Sequence, residues 1–175
     1  MLWAVLATGI NNLEFLDSPW GQRAAELSLP PAGFESRHCE REDSVAFQGL
    51  VKGQPTVLVY SFTPFTKRLW EVTLIIGNPQ RFKPARNQYI RYRNALIDAY
   101  GKPSHSYEFV SNPYWLGDNR QEEALHEGKY NLSDFWMNNP TGILGMAITP
   151  EGWTCITYDS RQFSRMAREE YNLVR

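Results

Sequence analysis

Side chains that bind metals or act as nucleophiles are few in this sequence, and their spacing does not match known chemistry. The one cluster of mixed ligand types is His38-Cys39-Glu40. Zinc sites need four ligands, commonly paired as Cys-x-x-Cys, and the sequence contains no such pair. Cys155 lies in an apolar strand pattern, where a thiol is buried rather than activated. The sequence therefore predicts no metal, no cofactor and two free thiols.

Local motifs of catalysis are also missing from the sequence. It contains no Gly-x-Ser-x-Gly, no phosphate-binding loop, no Gly-x-Gly-x-x-Gly and no His-Glu-x-x-His. A nucleophile and its base can still meet in space from distant positions, so an enzyme is not excluded. The balance favours a protein without catalytic activity, and no catalytic residue is assigned.

The segment from Arg81 to Lys102 is strongly basic, with six basic side chains and one acidic side chain. Helical spacing places Arg86 and Arg93 on one side of a helix. Because guanidinium groups pair with phosphates and carboxylates, these two arginines are candidate anion-binding residues. The other interpretation is a solvated outer face of the helix. A net charge of −1 argues against nucleic acid as a partner.

Three large apolar residues interrupt a segment that otherwise has loop character. Tyr114, Trp115 and Leu116 lie between Pro113 and Gly117. Aromatic side chains carried on loops are typical of recognition surfaces, so these three are candidate partner-binding residues. The alternative is that Tyr114 and Trp115 fold back onto the core. Phe65, in a Thr-Pro-Phe-Thr loop, is a second and weaker candidate for partner binding.

Hydrophobic periodicity and turn residues predict the elements that must position these side chains. The segment 35–44 is polar and predicts a loop. Gly101 and Pro103 end the clearest helix, and Ser160 caps the last one. Strands are predicted at 1–10, 44–51, 56–62, 67–76, 104–110, 132–137, 142–149 and 153–158, and helices at 19–28, 84–100, 120–126 and from 160 onward.

This order of elements predicts an α+β fold, in which an antiparallel meander forms one or two sheets with helices packed on one face. Residues 1–175 form a single domain, since 175 residues with 42% hydrophobic content can bury a core without disulfides. A helix-plus-meander unit occurs twice. We interpret this as a degenerate duplication with halves 1–80 and 81–175.

The amino-terminal segment and the absence of long apolar runs bear on the compartment. The first apolar run is about seven residues long and lacks the basic region of a signal peptide. No run approaches the ~20 apolar residues of a membrane span. A cytoplasmic location is therefore favoured, and a secreted or periplasmic one follows if a signal peptide preceded residue 1.

Two short motifs carry a resemblance to known proteins. Pro19-Trp20-Gly21 precedes a predicted helix and a meander, and Tyr100-Gly101-Lys102-Pro103 follows the next helix. This order resembles small bacterial α+β proteins, including beta-lactamase-inhibitor-like modules and small outer-membrane assembly lipoproteins. The resemblance implies a module that binds or assembles proteins, although the lipid-bearing cysteine of the lipoproteins is missing here. It supplies no catalytic residues.

The sequence thus predicts a non-catalytic module that binds another protein, as an assembly subunit or as an inhibitor or immunity-type partner. The alternative is a domain that binds a small molecule or an anion through the helix at 84–100 and that could be an enzyme.

Overall fold

The structure is a computed structural model that describes residues 19–174, except residues 32, 79 and 80. The strand predicted at 1–10 lies outside the described residues. The elements, in chain order, are a short 3-10 helix (Ala24–Glu26), β1 (Phe34–Arg37), β2 (Ser44–Val51), β3 (Gln54–Phe62), β4 (Leu69–Ile76), α1 (Phe82–Tyr100), β5 (His105–Val110), α2 (Gln121–His126), β6 (Tyr130–Trp136), β7 (Gly142–Ile148), β8 (Thr154–Ser160) and α3 (Arg161–Val174).

The eight strands of the described residues form one antiparallel sheet with the order β1-β2-β3-β4-β8-β7-β6-β5. The predicted α+β fold with an antiparallel meander is confirmed. Each half of the sheet is a four-stranded meander followed by a helix, and the halves join where β4 pairs with β8. Thr73 faces Thr157 at this junction, with their hydroxyl oxygens 3.4 Å apart. The division of the chain into halves 1–80 and 81–175 stays a prediction.

The central strands line up apolar side chains on the face that α1 covers. The register places Leu58, Leu74, Ile156 and Met146 side by side across four strands, and all four are buried. Each such side chain contributes about 1.5–3 kcal/mol when it leaves water. This row is the centre of the core; α1 packs over its β7 and β8 end, and α3 packs over β4 and β8.

Helix α1 forms because its apolar residues recur every three or four positions. Its buried side chains are Ala85, Tyr89, Tyr92 and Leu96. The helix ends at Gly101, whose φ of 79° favours glycine and whose N–H donates to the Ile97 carbonyl oxygen (2.8 Å). Within the described part of the chain, no helix is long and apolar enough to span a membrane.

Two predicted elements are wrong, both because of long-range backbone pairing. The helix expected at 19–28 is reduced to the 3-10 turn. Its first residues instead pair with the start of β4: Gly21 donates to the Leu69 carbonyl oxygen, and Leu69 donates to that of Gln22. The loop expected at 35–44 contains β1. Its residues have weak strand propensity, and β1 forms because β2 offers a free edge.

Candidate functional site

The aromatic loop between β5 and α2 divides its side chains between the core and the surface. The Tyr114 ring is only 4% exposed, and its hydroxyl donates to Glu127 (2.8 Å). The Arg120 guanidinium lies over this ring, 4.5 Å from its centroid. Tyr114 therefore anchors the loop, and its ring is not available to a partner.

The next two residues of the loop point outward. Trp115 is 65% exposed, and Leu116 is also exposed. The turn is held by Asp118, whose carboxylate accepts the backbone N–H groups of Trp115 (3.1 Å) and Arg120 (2.8 Å). An anchored loop that keeps a large aromatic side chain in solvent presents that side chain in a defined position.

The second predicted group, the arginines of α1, faces the sheet. Arg93 donates to the buried Asp134 carboxylate of β6 (2.6 Å), which also accepts the Tyr89 hydroxyl (2.6 Å) and the Ser106 hydroxyl. Burial raises the pKa of Asp134, but the hydrogen bonds from Arg93, Ser106 and Tyr89 outweigh it and hold that pKa below its ordinary range. Arg93 is therefore committed to an internal carboxylate.

Arg86 makes a similar contact one strand further out. Its guanidinium lies 3.4 Å from the Glu108 carboxylate of β5, which also accepts the Tyr130 hydroxyl (2.5 Å). Burial, and then the hydrogen bond to Glu108, raises the pKa of Tyr130 to about 12. Arg86, Glu108 and Tyr130 line an open pocket of about 330 Å³ that Leu116 borders. These contacts and those of Arg93 fasten α1 to β5 and β6.

Strand β5 lies at the edge of the sheet, next to this loop and these arginines, and its side chains are mostly exposed. None of its six side chains is buried. Tyr107 is 46% exposed and Phe109 is 49% exposed, both on the face opposite to Glu108. The Tyr107 ring stacks with the His105 ring, with 6.3 Å between their centroids, and packs edge to face on the Phe135 ring, with 6.1 Å between theirs. Among residues 19–174, as far as they are described, no strand pairs with the outer side of β5.

The outer side of β5 presents free backbone groups. The Ser111 N–H, one residue beyond β5, donates to the Lys129 carbonyl oxygen (2.9 Å) and so continues the register of β5 and β6. Backbone groups alternate in direction along an antiparallel strand. Tyr107 and Phe109 therefore turn their backbone groups toward β6, whereas Ser106, Glu108 and Val110 turn theirs outward.

The opposite edge of the sheet is better protected than β5 by its length and its charges. Strand β1 has four residues, and two of them, Glu35 and Arg37, are charged. Short length and charge are means by which proteins protect an edge. Strand β5 has six residues, and its one charge, Glu108, is paired with Arg86.

Phe65, the weaker candidate, lies far from this region. Its loop follows the end of β3 at the end of the sheet where β5 begins, whereas Trp115 follows the end of β5. Phe65 is exposed, and its backbone N–H donates to the Glu170 carboxylate of α3 (2.6 Å). The structure thus brings Trp115 and Leu116 together with β5 and Arg86, but not with Phe65.

Sequence reasoning missed Tyr107 and Phe109 as surface residues. The alternation His-Ser-Tyr-Glu-Phe-Val gave the strand, and its aromatic positions were visible. Only the strand order shows that this strand has no outer neighbour among the described residues. Both cysteines are free in the structure, and burial raises the pKa of the Cys155 thiol.

Comparison with known proteins gives no relative from which a function could be transferred. No family model matches the chain, and no match was found among curated proteins or solved structures. The resemblance to small bacterial binding modules stays a prediction, and the geometry of β5 and its surroundings carries the functional inference.

Proposed function

We propose that this protein is a protein-binding module whose β5 edge accepts a β-strand of its partner. The observation that carries the proposal is the six-residue outer edge of β5, with which no strand of the described part of the chain pairs. Main-chain hydrogen bonds from Ser106, Glu108 and Val110 would supply affinity, as in other cases of strand addition. The added strand would complete the backbone hydrogen bonding that β5 leaves to solvent.

Side chains on both faces of β5 would give the interaction its specificity. Tyr107 and Phe109 flank the edge on one face, and Leu116 lies beside Arg86 and Glu108 on the other. Trp115 is exposed in the loop that follows the carboxyl end of β5. Tyrosine and tryptophan are frequent anchors at interfaces because they bury large areas with few rotatable bonds. The contacts of Asp134 and Glu108 with α1 hold β5 rigid, which lowers the entropic cost of binding.

The alternative, an anion site on α1, has less support. Arg86 and Arg93 each already pair with a carboxylate, and the first N–H of α1, at Phe82, donates to Glu122 (3.0 Å). An entering anion would have to displace one of these groups and leave it unpaired near the sheet.

The test is selection of extended peptides from a display library on the immobilised protein, followed by hydrogen exchange. We expect bound peptides to slow exchange at the amides of Ser106, Glu108 and Val110. Phe109→Lys places a charge beside the edge and should abolish this protection, whereas Leu173→Lys changes an exposed apolar residue of α3 and should not. Peptides that bind without protecting β5 would contradict the proposal.

A further inference from the structure

We infer that the partner strand at this edge is β5 of a second copy of the chain, so that the sheets of the two copies join into one continuous sheet. The inference rests on the proposed function and names its partner. The inference is carried by the order of side chains along β5. When a two-fold axis lies midway between two copies of Tyr107, the charges, backbone groups and aromatic rings of the two strands complement each other.

Geometry limits the pairing to a few registers. A two-fold axis that places two copies of β5 side by side and antiparallel stands perpendicular to the sheet and lies midway between the two strands, so one residue must face its own copy across it. Axes at Tyr107 or at Glu108 give the longest overlap of the six-residue strand. Because residues opposite each other share a face, each axis defines which side chains meet across the interface.

Charge decides between these two registers. An axis at Glu108 would place this carboxylate directly opposite its own copy, and like charges in that position destabilise a sheet. An axis at Tyr107 instead places Glu108 of one copy opposite Ser106 of the other. Ser106 lies beside the Arg93 guanidinium (3.4 Å), so a positive group approaches each Glu108 across the interface.

The same axis satisfies the backbone and the aromatic side chains. Ser106 and Glu108 of opposite copies exchange both of their outward backbone hydrogen bonds. On the other face, the two Tyr107 rings meet, and each Phe109 lies opposite His105 of the second copy. Aromatic pairs across strands add about 0.2–1 kcal/mol each. The interface is isologous, and it covers the exposed side chains that set β5 apart from β1.

The first experiment is sedimentation of the purified full chain over about 1–100 μM, a range suited to a small interface. We expect a reversible dimer. Tyr107→Lys places two lysines opposite each other and should raise the dimer dissociation constant at least about tenfold. Leu173→Lys, the matched control, should leave dimerisation unchanged, and circular dichroism should show both variants folded. A chain that stays monomeric, or a dimer that Tyr107→Lys does not weaken, would overturn the inference.

The second experiment tests the register by oxidation of a chain in which Cys39 and Cys155 are replaced by serine. Tyr107→Cys should form a disulfide-linked dimer, since two residues at the axis have Cα atoms about 4.5 Å apart. Phe109→Cys should form none, because its two copies would lie about 13 Å apart. Linkage through Phe109→Cys alone would overturn this pairing.

The two proposals fail in different ways. If the chain is a monomer whose β5 amides become protected by selected peptides, the second copy is excluded and the protein-binding function stands. If β5 is protected by neither a second copy nor a peptide, both proposals are wrong.

Discussion

Asp134 is the side chain through which α1 is attached to the outer strands. It is almost fully buried, and it accepts hydrogen bonds from three side chains of two elements: Tyr89 and Arg93 of α1, and Ser106 of β5. Removing one partner of a buried pair costs more than the pair itself contributes, because the remaining charge is left without compensation.

Asp134→Asn should therefore destabilise the protein strongly. We expect the free energy of unfolding to fall by about 2–3 kcal/mol, less than for a fully buried pair because Arg93 can turn to solvent. Urea denaturation measures this, with Glu169→Gln as the control, since its partner Arg165 is exposed and the change should stay below about 0.5 kcal/mol. A loss of unfolding free energy for Asp134→Asn as small as that of the control would show that the hydrogen bonds to Asp134 do not hold α1 on the sheet.

At the scale of elements, the loop after β5 and the strand itself work as one unit. The loop is anchored by Tyr114 and carries Trp115 in solvent, so adjacent residues have opposite roles. The outer strand β5 would be unstable as an isolated edge. It is held in place by the two carboxylate contacts to α1 and by pairing with β6.

Alanine substitutions in the loop should separate these roles. Tyr114→Ala removes a buried ring and its contacts with Glu127 and Arg120, and we expect a loss of about 2–4 kcal/mol in unfolding free energy. Trp115→Ala should change stability by no more than about 0.5 kcal/mol, because the side chain is exposed. Thermal unfolding of the two variants measures both effects. Equal losses would mean that Trp115 packs on the core.

At the scale of the whole molecule, the free energy of unfolding depends on pH through carboxyl groups whose pKa values are shifted in opposite directions. Burial and the neighbouring Glu71 raise the pKa of Asp159 to about 7, and its Oδ1 has no hydrogen-bond partner among the described residues. Burial also disfavours the charged form of Glu170, but hydrogen bonds from Thr66 and Phe65 outweigh it and lower its pKa, as at Asp134.

These shifts predict a stability maximum in mildly acidic solution. The unfolded carboxyl groups titrate near pH 4, so stability from Asp134 and Glu170 is present above that pH and is lost as the pH falls further. Asp159 keeps its proton in the folded state, so stability falls as the pH rises from about 4 through 7. Urea unfolding from pH 3 to 9 measures the profile.

Asp159→Asn isolates the alkaline limb of this profile. The amide carries no charge, so we expect the variant to exceed the parent by about 1–2 kcal/mol at pH 8 and to match it near pH 4.5. This gain in stability is smaller than the full shift of the Asp159 pKa implies, because Asp159 is only partly buried. A variant less stable than the parent at pH 8 would show that the buried carboxylate is compensated.

Much of the fold follows from local patterns in the sequence. Strand alternation identified β2 to β4 and β5 to β8, and helical spacing with Gly101 identified α1, because these signals depend on neighbouring residues. β1 and the unwinding of 19–28 depend on backbone pairing with distant strands, and no local pattern encodes such pairing.

The candidate site divides in the same way. The sequence by itself determined that Trp115 and Leu116 lie in an aromatic loop and that Arg86 and Arg93 share a helix face. Only the tertiary structure decided that Tyr114 is buried, that both arginines face carboxylates and that β5 is an edge of the sheet formed by residues 19–174. The reason is physical: burial and edge position depend on which strands become neighbours, and that is set by contacts between residues far apart in the chain.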